Sequence, residues 1–264
     1  MDELIFNLKN IIYYYPKEAK KKHEFSLNIE TMKIQKGKLT TILGRSGSGK
    51  TTLLSLLGLL RKPTSGSLSI YLHQDTKIQK INSNEIWNDE YSAETIRAKY
   101  IGFALQGGDL LSHLTLEENV GFALRMFGYK KNEIRKTSLT LLSKFFTKNE
   151  HDIFNKMPQN LSQGQYQRGA VARALIHLPH IVLADEPTGN LDIVNGKNML
   201  ELLKTYITEN GTQSVVLVTH DLDHATNFSD EIFVLNNGKI VGHHKKILGL
   251  NEFDRELIIK ELRQ

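Results

Sequence analysis

The sequence predicts an α/β protein with a mixed central sheet, an antiparallel β part near its start, and a helical block inserted between strands of the core. Three observations carry this. The runs "IVLADEP" (181–187) and "SVVLVTH" (214–220) are continuously apolar, as parallel strands buried on both faces are, and each ends in acidic or His residues. Residues 1–40 alternate apolar and polar positions, as strands with one wet face do. From Thr115 to about Lys156 the apolar period becomes helical.

In chain order, "LIFNLKNIIYYY" and "EFSLNIETMKI" read as antiparallel strands and "QKGK" as a turn. "LTTIL" (39–43) is a β-branched strand that enters a Gly-rich loop, and "TTLLSLLGLL" leaves that loop as a helix buried on most sides. "GSLSIYL" (66–72) is another strand, after which polar residues dominate from His73 to Arg97, a long surface excursion. Leu116, Val120, Leu124 and Phe127 are spaced for one helical face, and Leu139, Leu142, Phe145 and Phe146 for a second. "EIFVLNNGKIVGH" is a strand, an Asn237-Gly238 turn and a strand, which together make a hairpin. From Asn251 to Gln264 an amphipathic helix is expected, with Phe253, Leu257, Ile258 and Leu262 inward.

The 264 residues suit one domain with a sizeable insertion: a core with its antiparallel part at about 1–104 and 161–250, a helical part at about 105–160, and a terminal helix at about 251–264. The longest nearly apolar run, Leu53 to Leu60, falls far short of the roughly 20 residues a bilayer requires. Asp2 and Glu3 stand where a secretory signal carries Lys or Arg, so the expected location is the cytosol. With no cysteine, disulfides, thiolate metal sites and cysteine nucleophiles are excluded. The net charge of +5 is modest, and its densest basic run, "KEAKKKH" (17–23), reads as a solvated turn. His243 and His244 lack metal-ligand spacing with an acidic or His partner and read as surface residues.

Gly44, Gly47, Gly49, Lys50 and Thr51 satisfy the phosphate-binding loop pattern between a predicted strand and a predicted helix. The glycines let successive N–H groups converge on the phosphates, and the helix N-terminus adds its positive dipole end. Lys50 brings a full charge, Thr51 a hydroxyl for Mg²⁺, and Ser46, Ser48 and Thr52 complete the expected cradle. At the end of a buried strand, Asp185 suits the Mg²⁺ water shell, and Glu186 suits the general base that polarises attacking water. A second loop, "LSQGQ" (161–165), also feeds a helix start and carries backbone donors and a hydroxyl.

With these motifs in that order, the chain resembles the nucleotide-binding subunit of ATP-binding-cassette (ABC) transporters over nearly its whole length, which implies a phosphate-loop NTPase fold of that type with a RecA-like core. "LSQGQ" stands where that family has its signature, and the resemblance places Ser162, Gly164 and Gln165 against ATP. It makes Gln106 the glutamine that touches metal and attacking water, Asp192 of "GNLD" a nucleotide-side residue, His220 the γ-phosphate switch, and Tyr15 the adenine-stacking aromatic. Gln163 departs from the family, which usually has glycine there. In that family the signature of one subunit caps the ATP held by the phosphate loop of another. The implied cofactors are therefore ATP and Mg²⁺, and the implied partners are a second copy of the chain and an integral membrane permease.

No nucleic-acid partner is expected, and the implied location is peripheral, on the cytoplasmic side of the inner membrane. "LADEPTGNLD" and "GDLLSHLTLEENV" are most similar to the lipoprotein-release and macrolide-export branch. Importer and cell-division ATPases share much of that language. A non-transport relative acting on DNA or ribosomes would carry a coiled coil, a zinc module or a second cassette, and none is present in the sequence.

Overall fold

Alternation sets the first layer. In the computed structural model, which describes residues 3–14, 26–74, 77–87, 92–105, 110–189, 191–210, 213–246 and 252–263, strand β1 (Leu4–Tyr14) pairs antiparallel with β2 (Ser26–Gln35). On its other side β1 takes β4 (Ser65–Gln74), which carries β5 (Lys77–Asn82) at the edge, so the order is β2-β1-β4-β5. Ile5, Leu27, Ile29, Ile34, Leu68 and Ile70 point inward and are buried, whereas Lys9, Asn28 and Lys33 face water.

The polar stretch from His73 to Arg97 is not a plain surface excursion, because it holds β5 and the short helices α2 (Ser83–Trp87) and α3 (Ala93–Tyr100). The sequence hid β5 because an edge strand buries one residue in two at most. Here Ile81 is buried, while Ile78 is 54% exposed.

The second layer is a six-stranded sheet of order β10-β9-β3-β8-β7-β6. Its parallel centre is β3 (Leu39–Leu43), β8 (Ser214–Thr219) and β7 (Ile181–Asp185), every residue of which is buried. β9 (Glu231–Asn236) and β6 (Ile101–Ala104) extend it in parallel, and β10 (Lys239–Lys245) folds back antiparallel through the Asn237-Gly238 turn. One apolar core lies between the two sheets around α1 (Lys50–Leu57), and a second lies on the far face of the central sheet.

Between β6 and β7 the chain makes α4 (Leu116–Met126), α5 (Lys131–Phe145) and two 3₁₀ turns (Lys148–Asn155 and Pro158–Asn160) before α6 (Gln163–Leu175) leads back to the sheet. Thr115 starts α4 with a capping box to Glu118. Leu116, Val120, Leu124, Leu142, Phe145 and Phe146 are buried as their spacing predicts. Phe127 is 43% exposed, because α4 ends at Met126 and the face it would have extended stops there.

Three further helices pack against the sheet: α7 (Ile193–Asn210) and α8 (Leu222–Phe228) on β8, with α8 also on β3, and α9 (Arg255–Arg263) on β9 and β10. α9 packs on β9 and β10 with Phe253 and Ile258 buried and Leu262 against them. Leu257 is 44% exposed instead, because α9 meets the sheet along the stripe that carries Ile258 and Leu262. His243 is exposed as expected, whereas His244 is largely covered. His243 lies 3.1 Å from the buried Glu231, and His244 lies 2.6 Å from Glu261 of α9. Both pairs join residues distant in sequence, which spacing does not reveal.

Candidate nucleotide site

The Gly-rich loop forms because β3 delivers a buried chain end to the N-terminus of α1. A Cβ at Gly44 would collide with the Leu235 carbonyl and come 2.6 Å from Ser48 Oγ, so the loop starts hard against β9. Gly47 and Gly49 have φ of +78° and +104°, the left-handed conformation that reverses the chain. The Asn237-Gly238 turn grips the loop from outside: Gly238 N–H donates to Ser48 O (2.9 Å), and Asn28 N–H donates to Gly238 O (2.7 Å). The loop is thereby tied to the start of β2, a link that no motif announced.

Lys50 is buried, and its ammonium donates to the Gly44 and Arg45 carbonyls at 2.9 and 3.0 Å. Burial lowers its pKa, against the pull of Glu186 and Asp185. Ser48 Oγ is buried and without a hydrogen-bond partner among the described residues. A desolvated cation bonded only to neutral carbonyls beside an orphaned hydroxyl fits a phosphate, which supplies acceptors to both. Ser46 and Gly47 are exposed at the loop's tip, and Thr52 is buried in the first turn of α1.

Thr51 Oγ1 donates to Asp185 Oδ2 at 2.9 Å, which brings together two of the three expected metal residues. Burial raises the Asp185 pKa and Glu186 raises it further, while the Thr51 bond and Lys50 oppose them. A carboxylate held reluctantly ionised next to a hydroxyl fits a divalent cation, whose charge reverses that penalty. Gln106 and Tyr15 lie outside the described residues, as does Asn190 of "GNLD".

Glu186 follows β7 with φ +45°, a left-handed conformation rare for a residue with a side chain. Its N–H bonds Val218 O (2.9 Å) and its carbonyl accepts from Gly189 N–H (3.0 Å), so the strain is held from both sides. The result aims its carboxylate at His220, with Oε1 2.9 Å from Nδ1. Glu186 is 18% exposed and His220 63%, so the pair opens to solvent through the imidazole.

A cavity of about 550 Å³ lies in front of this pair, walled by Gly44, Arg45 and Ser46 on one side and by Ile259, Leu262 and Arg263 of α9 on the other. Those α9 residues and Arg45 were not legible as site residues. The trace of the α9 residues in the sequence is the amphipathic period of the tail, and Arg45 lies within the Gly-rich loop without being one of its fixed positions. A larger cleft, about 800 Å³, lies between β2 and β10 and contains none of the expected site residues.

The second loop, residues 161–165, stands apart. Ser162 caps α6, its Oγ accepting from Gln165 N–H (3.2 Å) while Gln165 Oε1 accepts from Ser162 N–H (3.0 Å). The hydroxyl still has its own proton to donate. Gly164 has Leu191 beside it, 3.2 Å from where a Cβ would sit, and Gln163 is exposed at the first helical position. Asp192 accepts from the N–H groups of Val194 and Asn195 (3.0 Å each) and so caps α7. No described hydrogen bond joins residues 161–165 to the loop at 44–52.

A helix N-terminus wrapped by such a loop, with a strained carboxylate paired to an imidazole at the neighbouring strand ends, defines a phosphate-loop nucleotide hydrolase. The family model described as ABC transporter matches residues 27–189. The chain is 38% identical over 232 residues to the uncharacterized ABC transporter ATP-binding protein MJ0796 of Methanocaldococcus jannaschii, covering 86% of this chain and 92% of that protein. A dimeric structure of MJ0796 in a post-hydrolysis state, bound to ADP and Pi, matches with a TM-score of 0.75 at 35% identity over 91% of this chain and 98% of that one.

Two further relatives carry different names, one of lipoprotein release and one of import. The lipoprotein-releasing system ATP-binding protein LolD 2 of Chlorobium chlorochromatii is 36% identical over 81% of this chain and 85% of its own length. The methionine import ATP-binding protein MetN of Lactobacillus acidophilus is 34% identical over 90% of this chain and 64% of its length. The chain belongs to the ABC transporter family. It is an ATP-binding ATPase that works with Mg²⁺.

Proposed function

We propose that two copies of this chain close head-to-tail on two ATP, each lending its Ser162 turn to the other's Lys50 pocket, and drive a separate membrane permease of the export or lipoprotein-release type. One observation carries this: the signature turn is exposed and bonded only within its own cap, so the phosphate it suits is not the one held by its own chain. The dimeric relative supports the pairing.

In this reading one domain holds the whole machine, with the helical part at about 105–160 as its arm. Lys50 and the loop N–H groups bind the β- and γ-phosphates, and the α6 N-terminus faces the γ-phosphate from the second copy. Bound through Thr51 and Asp185, Mg²⁺ supplies charge neutralisation to the phosphates. Glu186 takes a proton from the attacking water, and His220, hydrogen-bonded to it, orients that carboxylate and reaches the γ-phosphate. Gln106 contacts metal and water, Tyr15 stacks on adenine, and Asp192 lies on the nucleotide side of the pair of copies.

No helix among the described residues is long and apolar enough to cross a membrane. In this reading the permease is a separate membrane subunit, and this chain sits against it on the cytoplasmic face. The similarity to LolD 2 supports the release branch, and import is the competing reading that MetN supports. The membrane subunit that co-purifies from solubilised membranes decides between them.

The head-to-tail arrangement has its own test. Lys50→Ala and Ser162→Phe are each expected to be inactive alone, the first through loss of nucleotide binding. Mixed, they regain ATPase activity, because one of the two shared sites then has an intact loop from one copy and an intact signature from the other. No rescue on mixing means that the signature does not act on the partner's nucleotide.

A further inference from the structure

The loops that carry Glu186 and His220 are joined by a second imidazole, which the mechanism does not use. His224, in the first turn of α8, has its Nδ1 3.2 Å from Thr188 Oγ1 and 3.3 Å from Asp221 Oδ2. Its side chain is 21% exposed. The backbone of α7 lies against it, since a Cβ at Gly196 would sit 3.7 Å from His224 Cε1 and 3.5 Å from Thr188 Cβ.

Both partners of that nitrogen are close neighbours of the reacting groups. Thr188 is two residues past Glu186, in a turn closed by Gly189 N–H to Glu186 O (3.0 Å) and Leu191 N–H to Thr188 O (3.0 Å). Asp221 directly follows His220; its N–H donates to Thr219 Oγ1 (3.0 Å), and its Oδ1 accepts from His224 N–H (2.9 Å), which caps α8. Either tautomer keeps the link. Protonated, Nδ1 donates to Asp221 and Thr188; bare, it accepts the Thr188 hydroxyl proton.

The reacting pair needs such a link. Glu186 is held at φ +45°, and His220 is 63% exposed, so packing does little to fix its ring. Their 2.9 Å contact joins loops that leave two different strands, β7 and β8, and a shift of either loop opens it. We infer that His224 is a positioning residue: by bonding Thr188 on one loop and Asp221 on the other, it sets the spacing of Glu186 and His220 for the reaction. This role rests on the reading of Glu186 as the general base and deepens it. A histidine that only packed α8 would be replaceable by leucine without loss of turnover.

A double-mutant cycle tests the link. Thr188→Val keeps the shape of the side chain and removes its hydroxyl, and His224→Leu keeps apolar bulk and removes both ring nitrogens. Each single change is expected to lower kcat for phosphate release at saturating Mg-ATP by about tenfold with KM little changed, because misplaced groups cost rate rather than binding. The double variant is expected to lose no more than His224→Leu alone, since the same bond is removed only once. His224→Asn, whose amide reaches the place of Nδ1, is expected to recover most of the kcat lost with leucine.

Single variants within about twofold of the parent, a double variant whose loss is the product of the two, or an asparagine variant no better than leucine overturns the proposal. Thr188→Val carries the test by itself if His224→Leu does not fold. Glu186→Gln is measured beside them. Parental turnover there overturns the general-base reading and the positioning role together, whereas its loss there, with parental kcat in Thr188→Val and His224→Leu, overturns the positioning role alone.

Discussion

Replacing Gly238 by alanine tests whether the hairpin turn, which touches no nucleotide in any reading, holds the phosphate loop. Gly238 has φ +75°, and a Cβ there would overlap the backbone carbonyl of Ser26, a group that cannot swing aside. The turn must retreat, and it gives up the bonds Gly238 N–H to Ser48 O (2.9 Å) and Asn28 N–H to Gly238 O (2.7 Å). Two backbone hydrogen bonds at about 1 kcal/mol each and about 1 kcal/mol of left-handed strain give a loss of about 3 kcal/mol.

At roughly 2–4 °C per kcal/mol, that lowers the melting temperature by about 6–12 °C. Ser48 lies in the proposed cradle, so displacing its carbonyl is expected to misplace the loop by a sizeable fraction of an ångström and to lower turnover by up to roughly 10²-fold. Circular dichroism melts and phosphate release measure the two effects. Asn237→Gly, which relieves the φ of +45° at the neighbouring position without adding an atom, is the control and retains both. A Gly238→Ala chain that melts within about 2 °C of the parent and hydrolyses ATP at the parental rate refutes the wedge.

Glu186→Gln keeps the hydrogen bond to His220 within reach but cannot take a proton; turnover falls by roughly 10²–10⁴-fold and an ATP-loaded dimer accumulates, read by phosphate release and sedimentation. Asp185→Asn separates stability from function. The folded-state pKa of Asp185 is raised by burial, so the cost of its charge is absent below the ordinary carboxylate range, grows as pH rises through that range, and is present in full only above the raised value. The nucleotide-free variant therefore melts at or above the parent at pH 7 yet loses the extra stabilisation given by Mg-ATP, and a drop in the nucleotide-free melt contradicts the assignment. Gln163→Gly removes an exposed side chain at the first position of α6, so ATP affinity stays similar and turnover stays level or rises, at a stability cost below about 1 kcal/mol. A large drop in turnover reveals a positive role for Gln163.

What the sequence made legible follows from the range of each interaction. The parallel strands, the phosphate loop and the capped signature turn are written in consecutive residues, because burial on both faces, a left-handed glycine and a Ser-x-x-Gln cap are local demands. β5 was hidden because an edge strand needs only Ile81 inside. Leu257 and Phe127 were misplaced because period says that a helix has an apolar face but not where the helix ends or which partner it meets. The α9 wall of the site, the Glu231–His243 pair and the Gly238 wedge depend on chain segments at least a dozen residues apart meeting in space, and no local pattern encodes that.

The same division explains how phosphate chemistry becomes movement. Lys50, Asp185, Glu186 and His220 hang from the central sheet, and the Gly238 turn ties their loop to the antiparallel layer, so these groups move together. The signature turn belongs to another lever. Arg168, on the same helix as Ser162, bonds Glu150 at 2.6 Å and Phe145 O at 3.1 Å and lies 4.4 Å over the Phe146 ring, which fastens α6 to the inserted helices. In the proposed head-to-tail pair, loss of the γ-phosphate removes the charge that draws a Ser162 turn toward a Lys50 pocket, while Arg168 still binds that turn to its own arm. On that proposal the arm follows the signature away from the opposing sheet, and a permease resting on the arm would receive the displacement without touching the nucleotide.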